Sequence, residues 1–184
     1  MDLLSFPKAA VPRDIAIQIR SYTRIQWPHV EQRIGTKLWD VPADFPARSF
    51  VLLDGEKLIS HAEANFRPVQ HAGDTFNVGG LSAVFTFPGY RGKGHAAHVV
   101  RAATEHLDLN GADLSMLFCG EPLRRFYAAC GWEAVAGAQV LCGVATSPTP
   151  YENGLVVVRF TSERGRAARE RFTAQPVYVG ERTW

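Results

Sequence analysis

The sequence predicts a mixed α/β domain with a central mixed, mostly antiparallel sheet and helices on both faces. Two stretches carry this reading. Before residue 80 the pattern is an antiparallel meander: Ser49 to Leu53 and Lys57 to Phe66 are joined by Asp54-Gly55, a pair that supplies the positive φ of a tight hairpin turn. After it, the apolar run Leu81, Ala83, Val84, Phe85, Phe87 stops at Pro88-Gly89. Ala96, Val99, Val100, Ala103 and Leu107 then recur at helical spacing, and a second apolar run follows from Leu114 to Cys119. Two strands joined by a helix are parallel neighbours.

In chain order, residues 1–11 supply a short first strand. Pro12 opens a helix whose apolar face is Ile15, Ile19 and Tyr22, and Trp27-Pro28-His29 ends it. Val30 to Ala47 is irregular and proline-rich. After the hairpin, Pro68 to Asp74 reads as a connection and Thr75 to Thr86 as a long strand, in which Gly79-Gly80 implies a bulge or a close backbone approach. Asn110-Gly111 stops the central helix, Glu121 to Cys130 forms a short helix, and Trp132 to Val135 is a strand. Thr146 to Gly154 reads as a polar loop, Leu155 to Phe160 as a strand, and the arginine-rich Ser162 to Phe172 as a solvated helical face. His61 and His71 lie along the meander and receive no role.

With 184 residues, 46% of them hydrophobic, and no repeat or low-complexity tract, residues 1–184 are read as one domain. Twenty Lys and Arg against 18 Asp and Glu leave a formal charge of +2, too balanced to argue for nucleic acid or an anionic membrane. The N-terminus shows no basic region before a long apolar run, and no stretch is long enough to span a bilayer, so the expected location is cytoplasmic. Cys119, Cys130 and Cys142 are an odd number without metal-ligand spacing; they are expected to be reduced, and no metal is expected.

The turn between the apolar strand and the central helix carries the chemistry. Tyr90-Arg91-Gly92-Lys93-Gly94-His95-Ala96 places residues without bulk at a helix N-terminus, where free N–H groups and a positive dipole favour a phosphate. No Walker string is present. Gly92-x-Gly94-x-x-Ala97 fits the loose dinucleotide fingerprint, but its ribose acid would be Asp113, which precedes the following strand instead of ending it.

Read as Arg91-x-x-Gly94-x-Ala96, the string resembles the acetyl-coenzyme A pyrophosphate loop of the GNAT superfamily of N-acyltransferases. A second stretch at the expected distance, Phe126-Tyr127-x-x-x-Gly131-Trp132, is similar to that family's Phe-Tyr-x-x-x-Gly-aromatic signature. The resemblance implies several roles. Acetyl-coenzyme A is the co-substrate, and Arg91, Gly92, Lys93, Gly94, His95 and Ala96 hold its pyrophosphate. The parallel strands splay apart, and the backbone of Val84, Phe85 and Thr86 holds the pantetheine arm in the gap. Tyr127 protonates the departing thiolate. The partner is a small-molecule amine, and family members often form homodimers. Trp27, His29, Trp39 and Asp40 fall in the region that covers the acceptor in this family; each can equally seat a loop on the core.

In relatives a glutamate on the central strand often drains the amine proton, but here that stretch is Leu81-Ser82-Ala83, and Ser82 is no strong base. Glu63 or Asp74 from neighbouring strands, or a water chain, are the alternatives, and Cys119 opens an acyl-cysteine route. Within the superfamily, Ile59-Ser60-His61-Ala62, Thr149-Pro150-Tyr151-Glu152-Asn153-Gly154 and the final Gly180-Glu181-Arg182-Thr183-Trp184 resemble aminoglycoside 2'-N-acetyltransferases. This implies acceptor contacts at Ser82, Glu152, Glu181 and Trp184. The resemblance departs at Ser82, in a late loop reduced to Glu152, in the apolar Leu117-Phe118-Cys119, and at Arg182 beside Glu181. A coenzyme-binding module without turnover is the alternative reading.

Overall fold

The computed structural model describes residues 1–28, 46–152 and 154–183. Strand β1 (Asp2–Pro7) leads through a 3-10 turn to helix α1 (Arg13–Gln26), and β2 (Ala47–Asp54), β3 (Lys57–His71) and β4 (Asp74–Thr86) form the meander. Helix α2 (His95–Leu109) precedes β5 (Leu114–Cys119), which is followed by α3 (Arg124–Ala129), β6 (Glu133–Ala134), β7 (Val140–Cys142) and β8 (Thr149–Pro150). The chain ends with β9 (Leu155–Phe160), α4 (Glu163–Ala167), α5 (Arg169–Ala174) and β10 (Val177–Tyr178). Among the described residues the main sheet has the order β1-β2-β3-β4-β5-β9-β6, and β10-β7-β8 make a second, smaller one. Within the main sheet β4 with β5 is the parallel pair, and the other pairs are antiparallel.

Directly paired residues share a face, so the register sorts the meander. Phe50 opposite Ala62, and Ala64 opposite Leu81, point to α2. There they bury Val99, Val100, Ala103 and Leu107, the apolar stripe of that helix, and Trp132 closes the cluster with its indole N–H on the Thr104 hydroxyl at 3.0 Å. The opposite face carries two apolar clusters. Ile19 and Tyr22 of α1 cover Val51, Leu58 and Phe85, while Phe172 and Val177 cover Val69, Phe76 and Val78. A polar band lies between them: Ser49, Glu63 and Ser82 face one another across three strands, and Asn65 pairs with Ala47 and Gly80.

The structure departs from the sequence reading in three places. The connection expected at 68–74 is mostly strand, because burying Val69 against Phe76 extends the hairpin to a turn at Ala72-Gly73, both at positive φ. The segment 162–172 is a packing element instead of a solvated face. It breaks at Ala168, which is buried with Phe172, and the Arg164 and Arg171 guanidiniums lie 4.7 and 5.9 Å from the Phe76 ring while pairing with Asp74. The loop at 146–154 contains β8, paired with β7. Gly79 is the close approach its position implied: a Cβ there would meet Ser115 Oγ at 2.5 Å and Leu107 at 2.9 Å.

Candidate active site

The pairing of β4 with β5 covers Val78–Leu114, Gly79–Ser115 and Gly80–Met116. Beyond these, β4 stays on β3 as far as Thr86 and β5 stays on β9 as far as Cys119, so the two strands part and leave a gap. Val84, Phe85 and Thr86 lie along its open edge. The Phe87 N–H donates back to Ile59 at 3.0 Å, so by strand alternation Thr86 turns its backbone toward the gap. The Thr86 carbonyl accepts Arg91 Nε at 3.0 Å, and the Phe85 carbonyl accepts the Ser60 hydroxyl at 2.8 Å.

At the mouth of this gap β4 carries one extra residue. Ser82 faces Glu63 and Phe85 faces His61, so three steps on β4 oppose two on β3. Ala83 takes a φ of +49°, and its carbonyl lies 2.9 Å from Nδ1 of the fully buried His61. A carbonyl only accepts, so Nδ1 carries the proton and Nε2 is a bare lone pair; Nε2 is buried and has no partner among the described residues. Burial lowers the imidazole pKa, outweighing nearby Glu63.

The turn into α2 is built from fixed pieces. Tyr90 and Arg91 donate their N–H groups to Phe87 and Pro88, and Ala97 donates to Gly94. Between them, among the described residues, the N–H groups of Gly92, Lys93, Gly94, His95 and Ala96 meet no acceptor. Gly92 and Gly94 sit at φ +76° and +81°, with nothing within 4 Å of where a Cβ would stand. Arg91 is tied inward, its Nε on Thr86 and its Nη2 on the Tyr22 hydroxyl at 2.6 Å, which joins the turn to α1. Lys93 Nζ lies 5.8 Å from the Tyr90 ring, and His95 Nε2 is buried without a partner among the described residues.

Helix α3 follows the end of β5 and places Tyr127 in the α2-side cluster with Cys119 and Cys130. Tyr127 is 5% exposed, and among the described residues its hydroxyl makes no hydrogen bond, so the ring is core while the hydroxyl keeps its proton to donate. Burial raises the phenol pKa strongly, with Cys119 and Cys130 adding to it. Both thiols are also raised, chiefly by burial. Burial therefore disfavours the Cys119 thiolate, the form that an acyl-cysteine route requires.

Of the remaining sequence-derived positions, Glu63, Ser82 and Asp74 fall on the sheet face opposite α2. Ser82 looks across to Glu63, whose carboxylate is 2.9 Å from Lys8 Nζ. Asp74 sits at the other end of β4, roughly 30 Å from Ala83 at about 3.3 Å per residue, and it is engaged by Arg164 and Arg171. Glu152 is exposed and follows Tyr151, whose ring lies 4.4 Å from that of Phe118. Glu181 is exposed between Val179 and Arg182, whose carbonyls both accept Arg67 Nη1. Trp27 is half-buried at the end of α1. His29, Trp39, Asp40 and Trp184 lie outside the described residues.

Sequence reasoning missed Tyr22 as the anchor of Arg91, His61 as the clamp on the bulge, and Asn65 and Ser49 in the polar band. The reasons lie in two irregularities of the sheet. Leu81 and Phe85, four apart, would share a face in a regular strand, yet they join clusters on opposite faces, which requires the extra residue. The register of the Asp54-Gly55 turn alone would set Ser49 against Ala62, and a shift between Leu52 and Leu53 brings it beside Glu63 instead. Among the described residues no group of His, Cys, Asp or Glu could hold a metal ion, and no helix is long and apolar enough to cross a membrane.

Residues 16–135 match a family model described as an acetyltransferase (GNAT) domain. No curated protein matches significantly. Among solved structures, the chain resembles the GNAT family N-acetyltransferase YhbS from Escherichia coli in complex with CoA, with TM-score 0.59 and 17% identity over 96% of this chain and 88% of that one. It also resembles an aminoglycoside 6'-N-acetyltransferase complexed with coenzyme A, with TM-score 0.60 and 12% identity over 89% and 99%. A conserved protein from Enterococcus faecalis V583 aligns with TM-score 0.55 and 19% identity over 73% of this chain, which spans 33% of that protein. At these identities the likeness is one of fold.

Proposed function

Because this chain belongs to the GNAT acetyltransferase family, we propose that residues 1–184 act as a single N-acetyltransferase domain. In this reading it moves an acetyl group from acetyl-coenzyme A to a primary amine of a small molecule by direct attack. One observation carries it: the gap where β4 leaves β5 opens beside a helix N-terminus whose N–H groups from Gly92 to Ala96 have no acceptor among the described residues. A pyrophosphate satisfies those groups, and an extended amide-bearing arm along Thr86 continues the strand pairing that β5 gives up. Acetyl-coenzyme A supplies the activated thioester.

The chain's own residues do the rest. Arg91 braces the turn against α1 and Thr86, leaving phosphate binding to the backbone. Tyr127 presents a hydroxyl that burial keeps protonated and gives its proton to the leaving sulfur. Its pKa is raised, but so are those of the thiols beside it, so a coenzyme thiol in the same surroundings is pushed the same way. Glu63, one register step from the bulge, is better placed than Asp74 to receive the amine proton through water.

The acceptor in this proposal is an aminoglycoside or related amino sugar that meets Ser82 and Trp184, supported by the exposed carboxylates of Glu152 and Glu181 and by the likeness of Gly180-Glu181-Arg182-Thr183-Trp184 to that family. The location is the cytoplasm, which fits the free Cys119, Cys130 and Cys142. A homodimer is supported by β1, an edge strand that leaves Leu3 and Leu4 exposed. A coenzyme-binding module without turnover remains the second reading, favoured by Ser82 in place of a carboxylate and by the Lys8 pairing of Glu63. Release of free thiol from acetyl-coenzyme A over a panel of amines tests the proposal. Thiol release that depends on the amine supports transfer; coenzyme binding without release with any amine supports the second reading.

A further inference from the structure

Four buried polar atoms lie along the sheet face opposite α2, and among the described residues none has a partner: Ser49 Oγ, His61 Nε2, and both Oδ1 and Nδ2 of Asn65. Asn65 is 1% exposed, and Ser49 and His61 are wholly buried. A buried donor or acceptor left unmet is destabilising, so a band of them on one face calls for a ligand. Register gives Asn65 small neighbours, Ala47 on one side and Gly80 on the other. One step along β3 on the same face stands the carboxylate of Glu63, and one step the other way Arg67 holds the tail that carries Glu181. The band begins where β4 leaves β5 and ends at the bulge.

Resting on the acetyltransferase reading above, we propose that this band is the acceptor socket and that Asn65, with Ser49 and His61, hydrogen-bonds the hydroxyl groups of a hydroxylated amine. The donor set selects that class. Asn65 donates and accepts, Ser49 does both, and His61 Nε2 accepts only, because Nδ1–H is held by Ala83. Hydroxyls meet every one of these groups. An alkyl amine without hydroxyls leaves all four atoms unmet, and Glu63 receives the ammonium in either case.

Glucosamine and cyclohexylamine, which share a six-membered ring and one amine, are the probes, used with the full chain and acetyl-coenzyme A. Wild type is expected to favour glucosamine by about tenfold or more in kcat/KM, a site built on hydrogen bonds discriminating at least that well. Asn65→Leu, nearly isosteric, is expected to collapse the preference to within about threefold, chiefly through KM. Its melting temperature should stay level or rise, because an unmet polar group has been removed. Ser49→Ala should take away part of the preference, and it serves if the leucine variant does not fold. An equal rate with both probes in wild type, or a preference that survives both variants, overturns the proposal. So does a lower melting temperature with the preference intact, which makes Asn65 a structural residue. The shift in melting temperature of the coenzyme A-loaded protein with each amine is read in parallel. A glucosamine-specific shift lost in Asn65→Leu without any thiol release upholds the socket and defeats the acetyltransferase reading. Equal acetylation of both amines does the reverse.

Discussion

His61 Nδ1 donates to the carbonyl of Ala83 at 2.9 Å, so a buried neutral imidazole on β3 holds the residue whose positive φ makes the bulge in β4. The bond exists only while the ring is neutral on Nε2 or pays for burying a cation, and burial lowers its pKa from 6.5.

Stability should therefore depend on pH through His61. Above pH 6.5 the ring is neutral whether the chain is folded or unfolded, and its contribution is full. As pH falls below 6.5 the unfolded chain takes up a proton that the folded chain refuses, so stability is lost from there down to the lowered folded value. His106, also lowered chiefly by burial, acts with the same sign. His61→Asn keeps an N–H near the Nδ1 position and does not titrate. Between pH 6.5 and 5 its unfolding free energy should fall less steeply than that of wild type, by up to about 1.4 kcal/mol per pH unit. Denaturant titrations at several pH values measure this; equal slopes would show that folded His61 takes up a proton as readily as the unfolded chain.

The turn into α2 predicts two different outcomes at one glycine. Gly94 has open space around it but a φ of +81°, so Gly94→Ala should cost about 1 kcal/mol in stability and still allow coenzyme A to raise the melting temperature. Gly94→Glu adds charge where phosphate must sit and should abolish that rise. Tyr22→Phe removes the anchor of Arg91 and should weaken coenzyme A roughly fivefold, the equivalent of about one hydrogen bond.

How far these features were legible depends on their range along the chain. The meander, the glycine turn and α2 follow from periodicity and turn chemistry, and both motifs lie on the expected elements. The bulge rests on one extra residue at Ala83, visible only once Leu81 and Phe85 are known to pack on opposite faces. Phe172 and Ala168 look like part of a charged helix until Phe76 and Val69 are seen beneath them. Asn65 is an ordinary polar strand residue in sequence, because burial and the lack of a partner are properties of three strands together.

Glu152 and Glu181 should act on the acceptor alone. Both are exposed, on segments fixed by the Tyr151–Phe118 contact and by Arg67, so removing their charge disturbs little of the fold. Glu152→Gln and Glu181→Gln should each raise the KM for kanamycin by about two- to fivefold and leave coenzyme A affinity unchanged, the gain from an exposed charge pair being under about 1 kcal/mol. The effect should shrink as salt is raised. Unchanged kinetics in the double variant would remove the late loop and tail from the acceptor site.

Tyr127 separates chemistry from packing. Its ring is buried among Cys119, Cys130 and the α2 cluster, while its hydroxyl bonds to nothing among the described residues. Phenylalanine keeps the ring, so Tyr127→Phe should leave the melting temperature and coenzyme A binding within error. General acid catalysis contributes about 10²–10⁴-fold, and kcat should fall by roughly that range with little change in the acceptor KM. A fall below about threefold is less than 1 kcal/mol of barrier and would mean that the thiolate leaves unassisted or is protonated by water. Cys119→Ala supplies the control on route: direct attack predicts retained turnover, whereas an acyl-cysteine intermediate predicts its loss. Changing the leaving group gives the sharpest reading. An acetyl thioester of a more acidic thiol needs less help from an acid, so its transfer should suffer less from Tyr127→Phe than transfer from acetyl-coenzyme A, and equal losses with both donors would make Tyr127 a positioning residue instead of the proton donor.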